Sequence, residues 1–248
     1  AIPVAAAKTI RVDACGLQCP GPILKMKKTM DGLASGERVE ITATDPGFPR
    51  DAAAWCNSTG NQLISKETAG GKSVVVIEKG EPKSCNIVTS CEGKGKTFIM
   101  FSDDLDKALA TFVLANGAAA TGQKVTIFFT FWGLNVIKKL HKPNVEKDIF
   151  GKMFGMMLPS SSRKLKLSKM SMGGIGGKMM RYIMNRKGID SLESLRQQAL
   201  ENGVEFIACQ MSMDVMGVKQ EELLDEVTIG GVATYMERAD NANINLFI

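Results

Sequence analysis

The 248 residues are 44% hydrophobic and 23% charged, a balance that excludes wholesale disorder and a polytopic membrane protein, and the length favours two compact units with cores of their own. The net charge of +5 is unevenly spread: segment 138–187 holds 13 Lys/Arg against only Glu146 and Asp148, so that one stretch carries the whole basic excess. Six cysteines and a single histidine exclude a disulfide scaffold and a multi-histidine metal site, and they place the chain in a reducing, cytoplasmic setting.

Residues 1–7 read as a linker, without the basic start or apolar run of a signal peptide, and the missing initiator methionine suggests a piece of a longer chain. Alternation predicts strands over 9–12 and 38–44, and between them Ile23, Met26, Met30 and Leu33 recur at helical spacing. A second helix is expected over 51–58, stopped by Gly60, followed by a hairpin of 62–68 and 73–78 around Gly70-Gly71. The result is a β-α-β-α-β-β unit over residues 8–79, a two-layer sandwich, and 80–95 has the composition of a linker.

The second unit, 96–248, opens with an apolar strand over 97–101. Ser102-Asp103-Asp104 is an N-cap cluster for a helix over 105–120, and another apolar strand follows over 125–131. The basic insertion 138–187 has no clean period and holds 8 of the 15 methionines. Beyond it come a helix over 192–201 stopped by Gly203, a strand over 204–209, a helix over 219–224, a short strand over 226–229, a helix over 231–239 and a strand over 244–248. Apolar strands alternating with helices predict a doubly wound parallel sheet, so the fold class is α/β in two domains.

Few motifs in the insertion carry chemistry. His141 reads as a solvated loop histidine. Gly173 to Gly177 followed by Lys178 fails the phosphate-loop pattern, because Met172 and Met179 occupy required positions, and reads as a hinge. Residues 143–187 are expected to be mobile, or ordered only through a second copy of the chain, a membrane surface or a partner, since like charges repel and glycines cost ordering entropy. The methionines suit an adaptable apolar contact surface.

Two cysteine sites stand out. Between the first strand and first helix lies Asp13-Ala14-Cys15-Gly16-Leu17-Gln18-Cys19-Pro20-Gly21-Pro22. Pro20 and Pro22 preset helical φ, which puts Cys19 at or just before a helix N-terminus, where the dipole and nearby lysines favour a thiolate. Cys15 either pairs with Cys19 or packs. Cys56 reads as a buried core thiol, and Cys85 and Cys91 in the linker are left unassigned. Residues 8–79 resemble the TusA/SirA sulfur carriers, on Asp13, Gly16, Cys19, Pro20 and Pro22 together with Thr44-Asp45-Pro46 and Asp51. The resemblance implies that Cys19 carries sulfane sulfur as a persulfide, with Cys15, Asp13, Gly16, Pro20, Pro22 and Asp45 as auxiliary residues.

The second site is Cys209 in Phe206-Ile207-Ala208-Cys209-Gln210-Met211-Ser212-Met213. It closes a strand whose carboxyl end, in a doubly wound sheet, is where catalytic groups gather, and it is expected to be exposed there; a core cysteine is the alternative. Residues 96–248 resemble the DsrE-like sulfur-transfer family, which implies Cys209 as a second persulfide thiol. The two units in this order resemble the C-terminal part of flavoprotein reductases of the coenzyme A-disulfide and NADH-dependent persulfide type, which also carry a rhodanese domain.

That resemblance implies a persulfide-relaying sulfurtransferase whose donors or acceptors are proteins, including rhodanese and flavoprotein domains. Reductase activity would need those upstream domains. No cofactor site is read in this chain: FAD, NADH or coenzyme A would belong to the absent domains, since no Gly-x-Gly-x-x-Gly follows a strand. The alternative function is a basic, Met-rich binding module for a membrane surface or partner protein. Nucleic acid is not expected as a partner, because the basic segment has few aromatic residues for base stacking.

Overall fold

The computed structural model describes residues 8–17, 21–80, 95–141, 143, 145–147 and 149–248. The chain forms two compact units, one built on a four-stranded sheet between residues 9 and 78, the other on a five-stranded sheet between residues 95 and 247.

The first unit runs β1 (Thr9–Ala14), α1 (Gly21–Asp31), β2 (Arg38–Ala43), α2 (Phe48–Thr59), β3 (Gln62–Ala69) and β4 (Lys72–Glu78). Its two-residue alternation shows in β2, where Val39, Ile41 and Ala43 are buried, and its helical period in α1, where Ile23, Met26 and Met30 are. The sheet order is β1-β2-β4-β3. Strands β1 and β2 are parallel with Ala14 opposite Ala43, which requires the α1 crossover; the other pairs are antiparallel. Gly70 and Gly71 both have positive φ, as a tight hairpin turn demands. Phe48, Ala52 and Trp55 of α2 complete an apolar layer under the sheet with α1.

Around the second sheet run β5 (Gly95–Met100), α3 (Leu105–Ala120), β6 (Val125–Phe129), α4 (Ile149–Met157), α5 (Ile175–Arg186), α6 (Leu192–Glu201), β7 (Glu205–Cys209), α7 (Gln210–Met216), β8 (Thr228–Gly230), α8 (Val232–Asp240) and β9 (Ala242–Phe247). The order is β8-β7-β6-β5-β9, parallel throughout. Phe98, Met100, Ile127, Phe129 and Phe206 join Leu105 and Phe112 of α3 and Leu195 of α6 on one face, while Phe128 and Ile207 meet Tyr235 of α8 on the other. Cover on both faces explains why the central strand β6 is buried at every position.

Three expectations are corrected. The helix expected over 219–224 is a single 3-10 turn, Gln220–Glu222, in which the Glu222 carboxylate accepts the Lys219 N–H at 3.0 Å and Leu223 then bridges to Lys138. A helix not anticipated, α7, begins immediately after Cys209 and ends at Gly217, whose φ is +61°. Segment 143–187 is not ordered only by outside partners. It contains α4 and α5, buries Leu165 in the main core, and is tied down by Lys147 to Glu222 at 2.6 Å and Arg181 to Glu193 at 3.1 Å.

The glycine run there does two jobs rather than forming one hinge. Gly173 and Gly174 turn the chain with positive φ, whereas Gly176 lies in α5, where a β-carbon would stand 2.1 Å from the Met170 carbonyl oxygen. His141 is exposed, as expected of a solvated loop. Residues 81–94, with Cys85 and Cys91, lie outside the described residues.

Candidate functional site

The parallel pairing of β1 with β2 brings the segments that follow them to one edge of the first sheet. After β1 the chain must turn, and Gly16 does so with φ +81°, a conformation side chains disfavour. The turn is pinned from both sides: Asp13 Oδ1 accepts the Cys15 N–H at 2.8 Å, and Thr44 Oγ1 accepts the Gly16 N–H at 2.9 Å. Lys25 of α1 donates to the Asp13 carbonyl at 2.6 Å. After β2, Asp45 Oδ1 accepts the Gly47 N–H at 2.9 Å and shapes the entry to α2. Asp13, Cys15, Gly16, Thr44 and Asp45 are thus held at the same edge. Pro22 is buried in the first turn of α1. Cys19 and Pro20 lie outside the described residues; in sequence Cys19 stands two positions before Gly21, the first residue of α1.

The electrostatics of this edge separate the thiols. Hydrogen bonding to Asp13 pushes the Cys15 thiol up, with burial and the Asp13 charge adding to the effect and Lys72 opposing it. The same bonds from Cys15, side chain and backbone, hold the Asp13 carboxyl below its usual range, helped by Lys25 and Lys72. Cys15 Sγ also lies 4.0 Å from the Thr42 carbonyl oxygen. Cys15 is therefore a protonated thiol with acceptors at hand, a poor nucleophile at neutral pH. Cys56 is buried in α2, and burial pushes its thiol up to about 11, as befits the core residue expected. Burial, and after it Asp45, pushes the Asp51 carboxyl up.

Sequence reasoning missed the parts played here by Lys25 and Thr44. The Lys25 signal is its helical offset of four from Gly21, one turn into α1, which keeps it near the strand end. Thr44 was visible only as the residue before Asp45, because its partner is an N–H 28 residues away.

In the second unit Cys209 is 6% exposed, which corrects the expectation that it is open to solvent. Strand alternation places it on the face of Ile207, where it packs in a small apolar cluster with Phe128 and Tyr235. It is also the N-cap residue of α7, without a side-chain capping bond. At the same strand end Thr130 and Ser212 share a buried hydroxyl contact of 2.8 Å. The outer side of α7 borders a cleft of ≈360 Å³ lined by Gln210, Met213, Asp214, Lys219, Glu221 and Ile229 among others, with Gln210 donating to Asp214 at 2.9 Å. Among the described residues no group of three or more His, Cys, Asp and Glu side chains is placed to hold a metal ion, and no helix is long and apolar enough to cross a membrane.

Comparison with known proteins fits this division. Residues 93–247 match the DsrE/DsrF/DrsH-like family and residues 10–79 match sulfurtransferase TusA. The uncharacterized protein YrkE of Bacillus subtilis is 44% identical over 155 residues, 62% of this chain and 97% of YrkE. Sulfur carrier protein DsrE2 of Allochromatium vinosum is 38% identical over 161 residues, covering 63% of this chain and 99% of that protein. Sulfur carrier protein TusA of the same organism is 44% identical over 68 residues, 27% of this chain and 90% of TusA. The chain belongs to the DsrE/DsrF/DrsH-like family and carries a TusA domain ahead of its DsrE-like domain.

Proposed function

We propose that the chain is a sulfur carrier that holds sulfane sulfur as a persulfide on Cys19 and exchanges it with Cys209. The observation that carries this reading is the joining, in one chain, of two units that each match a sulfur-carrier family. In the exchange, the Cys209 thiolate attacks the outer sulfur of the Cys19 persulfide; the sulfur–sulfur bond at Cys19 breaks, a new one forms at Cys209, and Cys19 leaves as thiolate. A thiol becomes a persulfide and a persulfide a thiol, so no external oxidant or reductant is required.

The surroundings support a division of labour in the first unit. Asp13 and Thr44 shape the turn before α1, and Cys15, kept protonated, does not compete with Cys19 for sulfur. Because Cys209 is buried in its apolar cluster, its turn in the relay requires local opening at the β7–α7 junction. The order of the two units further supports a place beside rhodanese and flavoprotein domains of a persulfide or coenzyme A-disulfide reductase, which would supply or consume the sulfur.

Mass spectrometry after treatment with a sulfane-sulfur donor tests the carrier step. A gain of about 32 Da on the Cys19 peptide, abolished in Cys19→Ser with unchanged circular dichroism, is the expected result. A Cys19 peptide that never gains sulfur overturns the proposal.

A further inference from the structure

Helix α5 is anchored on one side and apolar on the other. On its inward side Gly176 packs at backbone distance against the Met170 carbonyl, and Gly177 faces the Leu165 carbonyl, where a β-carbon would stand at 3.2 Å. Outward, Ile175, Met179, Tyr182 and Ile183 follow one another at offsets of four, seven and eight, one stripe of a helix, and each is between 40% and 64% exposed. Helix α4 shows the same device on a smaller scale: Met153, Met156 and Met157 share a face, and Met156 is 87% exposed. Met170 and Met172, in the turn before α5, are exposed as well. In sequence these apolar side chains are interspersed with exposed cations, Lys152, Arg163, Lys164, Lys166, Lys169 and Lys178, inside the segment that holds all of the chain's basic excess.

We propose that this segment is an interfacial docking surface for a bilayer rich in anionic lipid, with the outward stripe of α5 as its principal contact. The inference is independent of the sulfur relay. Charge complementarity selects the occupant. An anionic surface attracts the cations while the apolar stripe enters the boundary between headgroups and acyl chains, the manner in which basic amphipathic helices lie on membranes. A second copy of the chain would set like charges against one another. A protein groove that receives a helix grips more of its circumference than one stripe, and the inward side of α5 is already packed on its own unit. A flat interface needs only the one face. The unbranched methionines adapt to it at little packing cost.

Co-sedimentation of the full chain with vesicles tests this, using phosphatidylcholine alone and phosphatidylcholine with about 30 mol% phosphatidylglycerol. The proposal predicts about tenfold tighter partition to the anionic vesicles, reversed by high salt, because screening removes the attraction. Met179→Glu with Ile183→Glu should lower partition about tenfold while the thermal melt stays in place, since both side chains are exposed. Met156→Glu on α4 should also lower it, which keeps the test open if the double variant folds poorly. Equal partition to both vesicle types, or undiminished partition of the variants, overturns the proposal. A dimer in sedimentation equilibrium that the double variant dissociates would also overturn it, by assigning the stripe to a second copy.

Discussion

Cys15, Cys56 and Cys209 differ in what surrounds their sulfur, and the differences can be read out by alkylation and by stability. The hydrogen bond and charge of Asp13 are what raise Cys15, so Asp13→Asn should bring its pKa down and speed iodoacetamide labelling of Cys15 at pH 8 several-fold. A rate that stays the same or falls would remove Asp13 as the cause. For Cys56 the folded state raises the thiol from its ordinary 9.0 to about 11, so the folded state holds the proton longer than the unfolded chain does. The corresponding stability is fully present below pH 9 and is lost as pH rises toward 11, about 2–3 kcal/mol for two units at 1.36 kcal/mol each. Denaturant unfolding across that window should therefore show the wild-type protein losing more stability than Cys56→Ala; parallel losses would contradict the assignment. Cys209 shows how a residue-level signal can be present and misread. Ile207 and Cys209 share parity in an apolar strand, which already places the thiol on a covered face, but the general rule about strand ends drew attention to the edge instead.

Elements were legible where period and punctuation agreed. Leu192 and Gly203 frame α6 in sequence, and the structure adds its cap, Ser191 Oγ, which accepts the Ser194 N–H at 3.1 Å. Ser191→Ala should cost about 1 kcal/mol in urea unfolding, the usual loss of an N-cap, and an unchanged midpoint would show that the cap carries no load. The hairpin around Gly70-Gly71 was legible for the same reason: local turn chemistry leaves few choices. Helix α7 was not, because its seven residues are too short to set up a period and its first residue follows a strand with no intervening turn. The insertion was misjudged because what orders it is non-local. Lys147 meets Glu222 across 75 residues, and Arg181 reaches both Glu193 and the Ser162 carbonyl. Burial pushes the Glu193 carboxyl up, and Arg181 with the Ser162 hydroxyl brings it below its usual range, a balance no window of sequence displays.

At the scale of the whole molecule, each of the two sheets has its own apolar cluster packed against it. The motif from Asp13 to Pro22 was legible as chemistry because its residues are contiguous; its supports, Thr44 and Lys25, emerged only from the pairing of β1 with β2. In the proposed relay, joining the two units in one chain would make the exchange unimolecular, since a tether replaces diffusion with an effective concentration of about millimolar. The proposed relay requires that Cys19 and Cys209 lie on one path. Loading Cys19 with labelled sulfane sulfur, removing the donor, and following the label by peptide mass spectrometry measures that directly. Label is expected to arrive on Cys209 at a rate independent of protein concentration and to be absent in Cys209→Ser; label that stays on Cys19, while Cys209 is loaded only by external donor, would put the two thiols on separate paths.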